Sequence, residues 1–110
     1  HQPVLLGGDG ADVSLYMRYQ MEQNSDRTPM QVVGMVCDDD ALRGHSIAGV
    51  KVLGSPNELP GLIDTHHVSI VQWIGALDTQ EKTRLWKRLR GTGVRLIHGR
   101  FFLDEWSPDE

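Results

Sequence analysis

The sequence predicts an α/β domain in which a parallel five-stranded sheet lies between two layers of helices. Short strand-like runs rich in apolar residues recur along the chain, and the first of them, at 3–7, does not alternate with polar residues, which is typical of a strand that is covered on both faces. Stretches with helical periodicity separate these runs. Successive strand–helix–strand units of this kind form right-handed crossovers between parallel strands. We therefore expect a single three-layer domain with all five strands parallel.

The predicted strands are short and apolar. The first ends in glycines, and the second ends in the acidic run Asp38-Asp39-Asp40. A polar loop at 24–29 precedes the second strand, and a long irregular connection at 38–49 follows it. The predicted strands cover residues 3–7, 31–37, 50–53, 68–74 and 94–98.

Three predicted helices connect these strands. The first spans 11–23 and carries apolar residues at helical spacing on one face. The second begins with a capping box formed by Ser55 and Glu58, and the third with another formed by Asp78 and Glu81. The third helix ends at glycines and exposes many lysines and arginines. It should pack on the sheet through three residues, Leu85, Trp86 and Leu89.

The expected strand order, numbered along the chain, is 3-2-1-4-5. In this order the connections reverse direction between strands one and four, and a ligand crevice forms at the carboxyl ends of these strands. The glycine turn after strand one, the aspartates after strand two and the turn after strand four should meet there. The residues expected to bind a ligand are Gly7, Gly8, Asp9, Gly10, Ala11, Asp38, Asp39, Gly75 and Ala76.

The glycine turn has the residue types that a dinucleotide site needs. Glycines let the backbone approach a pyrophosphate, and the helix that follows offers N–H groups and the positive end of its dipole. The fingerprint Gly-x-Gly-x-x-Gly aligns here with Leu6, Gly8 and Ala11, with Gly7 as an alternative first position. A tight strand-to-helix connection that binds no ligand would use the same residues.

The acidic end of strand two suits the ribose of an adenosine. A carboxylate there accepts hydrogen bonds from the ribose hydroxyls and repels a 2′-phosphate, so NAD is favoured over NADP. Asp38 is the expected ligand residue and Asp39 a second candidate, with a solvated acidic turn as the alternative. Asp9 precedes the first helix, where capping is its alternative role.

Composition limits the classes of partner. The chain has 110 residues and a net charge of −4, which fits one domain (1–110) and disfavours nucleic acid as a partner. Its one cysteine, Cys37, leaves no internal disulfide and fits a cytoplasmic protein. No apolar run is long enough to cross a membrane. Because His1 stands where Met would begin a protein, we expect a piece of a longer chain, with 101–110 as its C-terminal tail.

Three segments resemble one known family. They read Gly-Asp-Gly-Ala-Asp-Val-Ser-Leu at 8–15, Val-Val-Gly-Met-Val-Cys-Asp-Asp-Asp at 32–40 and Leu-Arg-Gly-His-Ser-Ile-Ala-Gly-Val-Lys-Val-Leu-Gly at 42–54. They are similar to the CoA-binding-like Rossmann domain of bacterial polysaccharide-biosynthesis proteins. The resemblance implies a domain that binds NAD(H), CoA or a nucleotide sugar. It also implies a parent enzyme of the nucleotide-sugar epimerase/dehydratase or sugar-phosphate transferase type, the latter on the cytoplasmic face of a membrane.

The chain lacks the acid–base dyad of short-chain epimerases and dehydratases. Those enzymes use Tyr-x-x-x-Lys for general acid–base work, but the fourth residue after Tyr16 is Gln20 and the fourth after Tyr19 is Gln23. We therefore expect no catalytic residues, and the adjacent histidines at 66–67 predict no metal site. The alternative function is a module that binds no nucleotide and mediates contacts with other domains of the parent or a homodimer, through the basic helix and Trp106.

Overall fold

The computed structural model describes residues 2–23 and 31–99. Within these ranges the chain forms a six-stranded sheet and three α-helices, and none of the described helices is long and apolar enough to span a bilayer. The predicted loop at 24–29 and the predicted tail, with Trp106, lie outside the described residues. The elements are β1 (Pro3–Gly8), α1 (Gly10–Gln23), β2 (Gln31–Val36), β3 (Ser46–Ile47), β4 (Val50–Gly54), α2 (Leu59–His66), β5 (Ile70–Ile74), α3 (Thr79–Leu89) and β6 (Arg95–Gly99), with short 3₁₀ turns at Asp40–Leu42 and Pro56–Glu58.

β1 lies at the centre of the sheet, whose strand order is β3-β4-β2-β1-β5-β6. β1 pairs in parallel with β2 and β5, and β4 and β6 extend the parallel part on either side. The parallel strands succeed one another as expected. The expectation of a purely parallel five-stranded sheet is wrong in detail, because β3 adds a sixth strand that is antiparallel to β4.

β3 and β4 form a hairpin that begins inside the stretch predicted to be irregular. Ile47 pairs with Val50, so the loop consists of Ala48 and Gly49. Both loop residues have positive φ, 50° and 83°, as in the type I′ turn, whose twist matches that of paired strands. Ala-Gly lacks the Asn-Gly signature of such turns, so the sequence carries little signal for this hairpin.

The two faces of the sheet form two separate cores. Val4 and Leu6 of β1 lie on the face that α1 covers, where Val13 is buried beside them. Leu5 points to the opposite face and packs with Leu59 of α2 and with α3. All five side chains are at most 1% exposed. β1 is therefore buried on both sides, as its continuous apolar run predicts.

Trp86 does not face the sheet, contrary to the expectation from the helix pattern. Leu85 and Leu89 of α3 are 3% and 5% exposed, whereas Trp86 is 60% exposed. Adjacent residues on an α-helix point about 100° apart. A helix that covers the sheet with one narrow stripe therefore buries Leu85 and Leu89 but turns Trp86 outward.

Arg43 joins the connection before β3 to the start of α2. Its Nη1 donates to Glu58 Oε1 at 3.0 Å, and its Nη2 donates to Glu58 Oε2. The Ser55 N–H also donates to Glu58 Oε2, at 2.8 Å, as the capping box predicts. The Arg43 hydrogen bond and then the Ser55 N–H lower the pKa of Glu58 from 4.5 to about 2.

We expect Glu58→Gln to lower the free energy of unfolding at neutral pH and to have little effect near pH 2. The folded pKa of Glu58 is depressed, so the stability it contributes is complete above about pH 4.5 and is lost as the pH falls to about 2. Urea unfolding of both proteins across this range measures the difference. Asp64→Asn, an exposed change on α2, is the matched control. A Glu58→Gln effect that stayed constant down to pH 2 would contradict the linkage.

Candidate functional site

A cleft of about 560 Å³ lies at the carboxyl ends of β1, β2 and β5. This is the position at which the sheet's connections reverse direction, where α/β sheets bind ligands. Most of the predicted residues line it, namely Gly8, Asp9, Gly10, Ala11, Asp38, Asp39 and Ala76. Gly7 and Gly75 are not among the lining residues. The structure therefore brings together the three turns that the sequence pointed to.

The turn between β1 and α1 is built around Gly8. This residue ends β1 with a φ of +135°, and a Cβ added to it would lie 2.3 Å from the carbonyl oxygen of Ile74. Gly10 then begins α1. Gly8 and Gly10 stand where the first two glycines of a dinucleotide fingerprint would stand, and Val13 stands where the third would. The alignment through Leu6 is therefore wrong by two residues, since Leu6 is a fully buried strand residue.

Gly7 leaves space for the ring of Trp73. A Cβ on Gly7 would lie 2.5 Å from Cε3 of the Trp73 ring. Trp73 comes from β5 and lines the cleft itself. The absence of a side chain at Gly7 thus lets the indole lie against β1. Gly7 is not among the residues that line the cleft, and its part in binding a ligand stays a prediction.

Asp9 caps the helix that would receive a phosphate. Its Oδ1 accepts a hydrogen bond from the Ala11 N–H at 3.0 Å, and its carbonyl accepts from the Val13 N–H at 3.0 Å. The carboxylate therefore occupies one of the N–H groups that a pyrophosphate uses at a helix N-terminus. A phosphate would have to displace Asp9 from Ala11 or bind beside it.

The two aspartates at the end of β2 have different roles. Asp39 Oδ1 accepts from the Ala41 N–H at 3.0 Å and caps the 3₁₀ turn that follows. Asp38 is exposed and lines the cleft. Within residues 2–23 and 31–99 its side chain has no hydrogen-bond partner. Asp38 is thus the aspartate available to a ligand.

The cleft is strongly acidic. Every charged residue that lines it is an acid, and the N-terminus of α1 presents the positive end of its dipole to it. Two arginines, Arg84 and Arg88, line a smaller pocket that shares Asp38, Trp73 and Glu81 with the cleft. Sequence reasoning missed two of these acids, Asp12 and Glu81, although Asp12 lies in the first turn of α1 directly after the glycine turn. The acidic lining consists of Asp9, Asp12, Asp38, Asp39 and Glu81.

The side walls of the cleft are apolar. Leu42 and Ile47 line it beside Gly10 and are half-buried against the α1-side core. They belong to the 3₁₀ turn and to β3, in the stretch that was predicted to be irregular, so the sequence carried no signal that they reach the site. The apolar surface that these two side chains form fits one face of a flat, neutral ring such as a base.

Ala76, in the turn after β5, lines the cleft opposite the glycine turn. Gly75 precedes it and does not line the cleft. The Gly75 N–H donates to the Gly99 carbonyl at 2.9 Å, and Gly75 has a φ of +108°. A Cβ on Gly75 would lie 2.6 Å from Asp12 Oδ2. Gly75 therefore lets α1 and the turn after β5 approach each other.

Among the described residues that line the cleft there is no tyrosine and no lysine. Tyr16 lies in the α1-side core, where its hydroxyl accepts from Gln72 Nε2 at 2.9 Å. Burial raises the pKa of Tyr16, and no lysine lies four residues after it to counter this effect. Among the described residues no three His, Cys, Asp or Glu side chains are grouped so that they could hold a metal ion.

No protein-family model and no curated protein matches this sequence. The fold does match solved structures. UDP-D-quinovosamine 4-dehydrogenase from Vibrio fischeri is similar with a TM-score of 0.72 and 17% identity, over 92% of this chain and 80% of that chain. RSP, a Rex-family repressor, is similar in its complex with β-NADH, with a TM-score of 0.65 and 15% identity over 90% of this chain and 53% of that chain.

RSP in complex with β-NAD+ and operator DNA is similar with a TM-score of 0.66 and 14% identity, over 93% of this chain and 51% of that chain. This chain thus corresponds to about half of the RSP chain. At these levels of identity the likeness shows a shared Rossmann-like fold.

We expect Gly8→Ala to destabilise the protein by about 2 kcal/mol or more, because it strains a positive φ and meets the Ile74 carbonyl. Gly10→Ala should change stability by less than about 1 kcal/mol, since Gly10 begins a helix and its nearest neighbour is the end of the Ile47 side chain, at 3.0 Å. Urea unfolding of the two variants measures both effects. Equal losses would mean that Gly8 is not the conformationally required glycine of the turn.

Proposed function

We propose that this domain binds NAD(H) in the cleft at the carboxyl ends of β1, β2 and β5. The observation that carries the proposal is that the Gly8–Gly10 turn and the α1 N-terminus line the same cleft as the Asp38 carboxylate, which has no hydrogen-bond partner among the described residues. This is how a Rossmann unit presents a phosphate site and a ribose site to one dinucleotide. The NADH and NAD+ complexes of RSP, whose fold is similar, support this choice of ligand.

The proposed orientation follows from the chemistry of the walls. The adenine would pack with one face on the apolar surface formed by Leu42 and Ile47, and its ribose hydroxyls would donate to Asp38. The pyrophosphate would lie at Gly10 and the N-terminus of α1. The second half of the dinucleotide would then extend past Ala76 at the end of β5.

The test of this function is a calorimetric titration with NAD+, NADH, NADP+, CoA and UDP-sugars. We expect NAD(H) to bind and NADP+ to bind at least about tenfold more weakly, because Asp38 and its acidic neighbours repel a 2′-phosphate. Asp38→Asn should weaken NAD+ binding about tenfold and reduce the preference against NADP+. Asp40→Asn, an exposed change outside the cleft, is the matched control.

The titration can contradict the proposal in two ways. Binding of CoA or a UDP-sugar in place of NAD(H) would reassign the ligand of the cleft. Absence of binding by every nucleotide at millimolar concentration would favour the alternative function, a Rossmann-like module that mediates assembly. The specific observation in favour of that alternative is the Asp9 carboxylate, which holds the Ala11 N–H.

We expect Asp9→Ser to bind NAD+ more tightly than the wild type, by about threefold to tenfold. Serine is also a good N-cap, so the helix start is kept while a negative charge next to the pyrophosphate is removed. Calorimetric titration measures the affinity, and adenosine, which carries no phosphate, should show no change. Weaker NAD+ binding, with unchanged thermal stability, would instead mean that Asp9 helps to bind the ligand.

We further propose that the domain is an accessory part of a larger cytoplasmic enzyme of nucleotide-sugar or polysaccharide metabolism. The resemblance of segments 8–15, 32–40 and 42–54 supports this context, as does the likeness in fold to a UDP-sugar dehydrogenase. The absence of a Tyr-x-x-x-Lys dyad from the sequence leaves catalysis to the rest of such an enzyme. The net charge of −4 and the acidic cleft disfavour binding of DNA, which RSP binds as operator DNA, by this chain.

A further inference from the structure

Trp86 is the most exposed large hydrophobic side chain in the described part of the protein. Leu85 and Leu89 face the sheet, and Arg88, one residue before Leu89, lies on the flank of α3 towards α2, where it donates to Asn57 Oδ1. Trp86, one residue after Leu85, lies on the opposite flank because adjacent helical residues are about 100° apart. The indole therefore faces away from α2, on the β6 side of the sheet.

Trp86 lies in the middle of a basic stripe. Helical residues three or four positions apart share a face, so this flank of α3 carries two cations, Lys82 before the indole and Arg90 after it. The acid of the α3 capping box, Glu81, is directed elsewhere, and its Oε1 accepts from the Asp78 N–H at 3.1 Å. We call this surface the Trp86 stripe, and its residues are Thr79, Lys82, Thr83, Trp86 and Arg90.

The chain leaves β6 beside the beginning of this stripe. The carbonyl of Gly99, the last residue of β6, accepts from the Gly75 N–H at 2.9 Å. Gly75 lies three residues before Asp78, the N-cap of α3. Residues that follow β6 therefore start at the same end of α3 at which the stripe starts.

Residues 101–110, which lie outside the described ranges, have a composition that complements the stripe. They include four acids and no lysine or arginine. They also include large apolar side chains. The sequence of this segment is Phe-Phe-Leu-Asp-Glu-Trp-Ser-Pro-Asp-Glu.

We propose that residues 101–110 bind along the Trp86 stripe and cover its indole. The acids of the segment would neutralise Lys82 and Arg90, and its aromatic residues would pack on Trp86. The lengths agree, since α3 has 11 residues and is therefore about 16 Å long. Ten residues can span that distance without being fully extended.

A second copy of the chain is a poorer occupant of this surface. Two Trp86 stripes packed against each other would bring two pairs of cations together, and like charges oppose such an association. The segment 101–110 is also tethered to the stripe through β6, and a short tether raises the effective concentration of a binding segment to about the millimolar range. At that effective concentration, even a weak interaction between the segment and the stripe gives a substantial bound population.

The test is a paramagnetic relaxation experiment on the full chain, with a nitroxide on Ser107→Cys. Native Cys37 is 4% exposed, and wild-type protein treated with the same reagent controls for labelling there. We expect the amide signals of Lys82, Trp86 and Arg90 to broaden, while those of β4 keep their intensity. In a control sample, isotope-labelled chains without a nitroxide are mixed with unlabelled chains that carry the nitroxide. Any broadening of amide signals in this sample comes from contacts between molecules.

Reversing the charges of Lys82 and Arg90 tests whether residues 101–110 bind to the Trp86 stripe. Lys82→Glu with Arg90→Glu should reduce the population of the bound segment about fivefold or more, because two exposed ion pairs become repulsive. Adding Asp104→Lys and Glu105→Lys to that variant should restore the broadening. Lys51→Glu with Arg84→Glu, two exposed reversals away from the stripe, should leave it unchanged.

Three results would overturn the proposal. The first is that the amide signals of α3 do not broaden. The second is that their broadening persists after Lys82→Glu with Arg90→Glu. The third is that the signals broaden only when the nitroxide is on another molecule. The last result would make a second copy the occupant of the stripe.

Discussion

The rest of the structure depends on the close approach of β1 and β5 at two adjacent glycines. A side chain on Gly7 would enter the Trp73 ring, and one on Gly8 would meet the Ile74 carbonyl. Because both positions lack a Cβ, the parallel pairing continues to the last residue of β1, where Gly8 pairs with Ile74. The turns that follow these two strands therefore lie next to each other and line the same cleft.

The Asp9 carboxylate stabilises α1 but disfavours the binding of a phosphate in the cleft. Asp9 stabilises α1 because it satisfies a helical N–H that would otherwise need water. The same carboxylate lies where the pyrophosphate of a dinucleotide would bind, and the remaining lining acids add to the negative potential. A neutral ring and ribose hydroxyls suit such a cleft, whereas each additional phosphate is disfavoured. The proposed preference for NAD over NADP follows from this balance.

The features that the sequence predicted correctly depend on local chemistry. The unbroken apolar run of β1 indicated a strand that is buried on both faces, and the two capping boxes located the helix starts near α2 and α3. The glycines after Leu6 located the turn to within one residue, since the strand was predicted to end at Gly7 and ends at Gly8. The part of Gly8 in that turn needed the structure, because it depends on its positive φ and on the nearby Ile74 carbonyl. The segment that would cover α3 is far from Trp86 in sequence, and a helical pattern alone cannot tell a core tryptophan from one on the flank.

Several cleft residues could not be predicted because they depend on tertiary structure. Leu42 and Ile47 reach the site through a 3₁₀ turn and a two-residue strand whose loop lacks the usual turn residues. Trp73 was expected to be a strand residue, and its place over Gly7 is visible only once β1 and β5 are paired. In each case the sequence indicated the element, and packing between elements decided which residue lines the cleft.

The hairpin of β3 and β4 has a consequence for how molecules of this protein could associate. β3, the outer strand on that side of the described sheet, pairs with β4 over only two residues, which leaves little backbone to receive a strand from another molecule. β6, the outer strand on the other side, is five residues long. Backbone pairing between molecules would therefore go through β6 on both partners. A contact between two β6 strands of the described sheet would be isologous and would close as a two-fold symmetric pair.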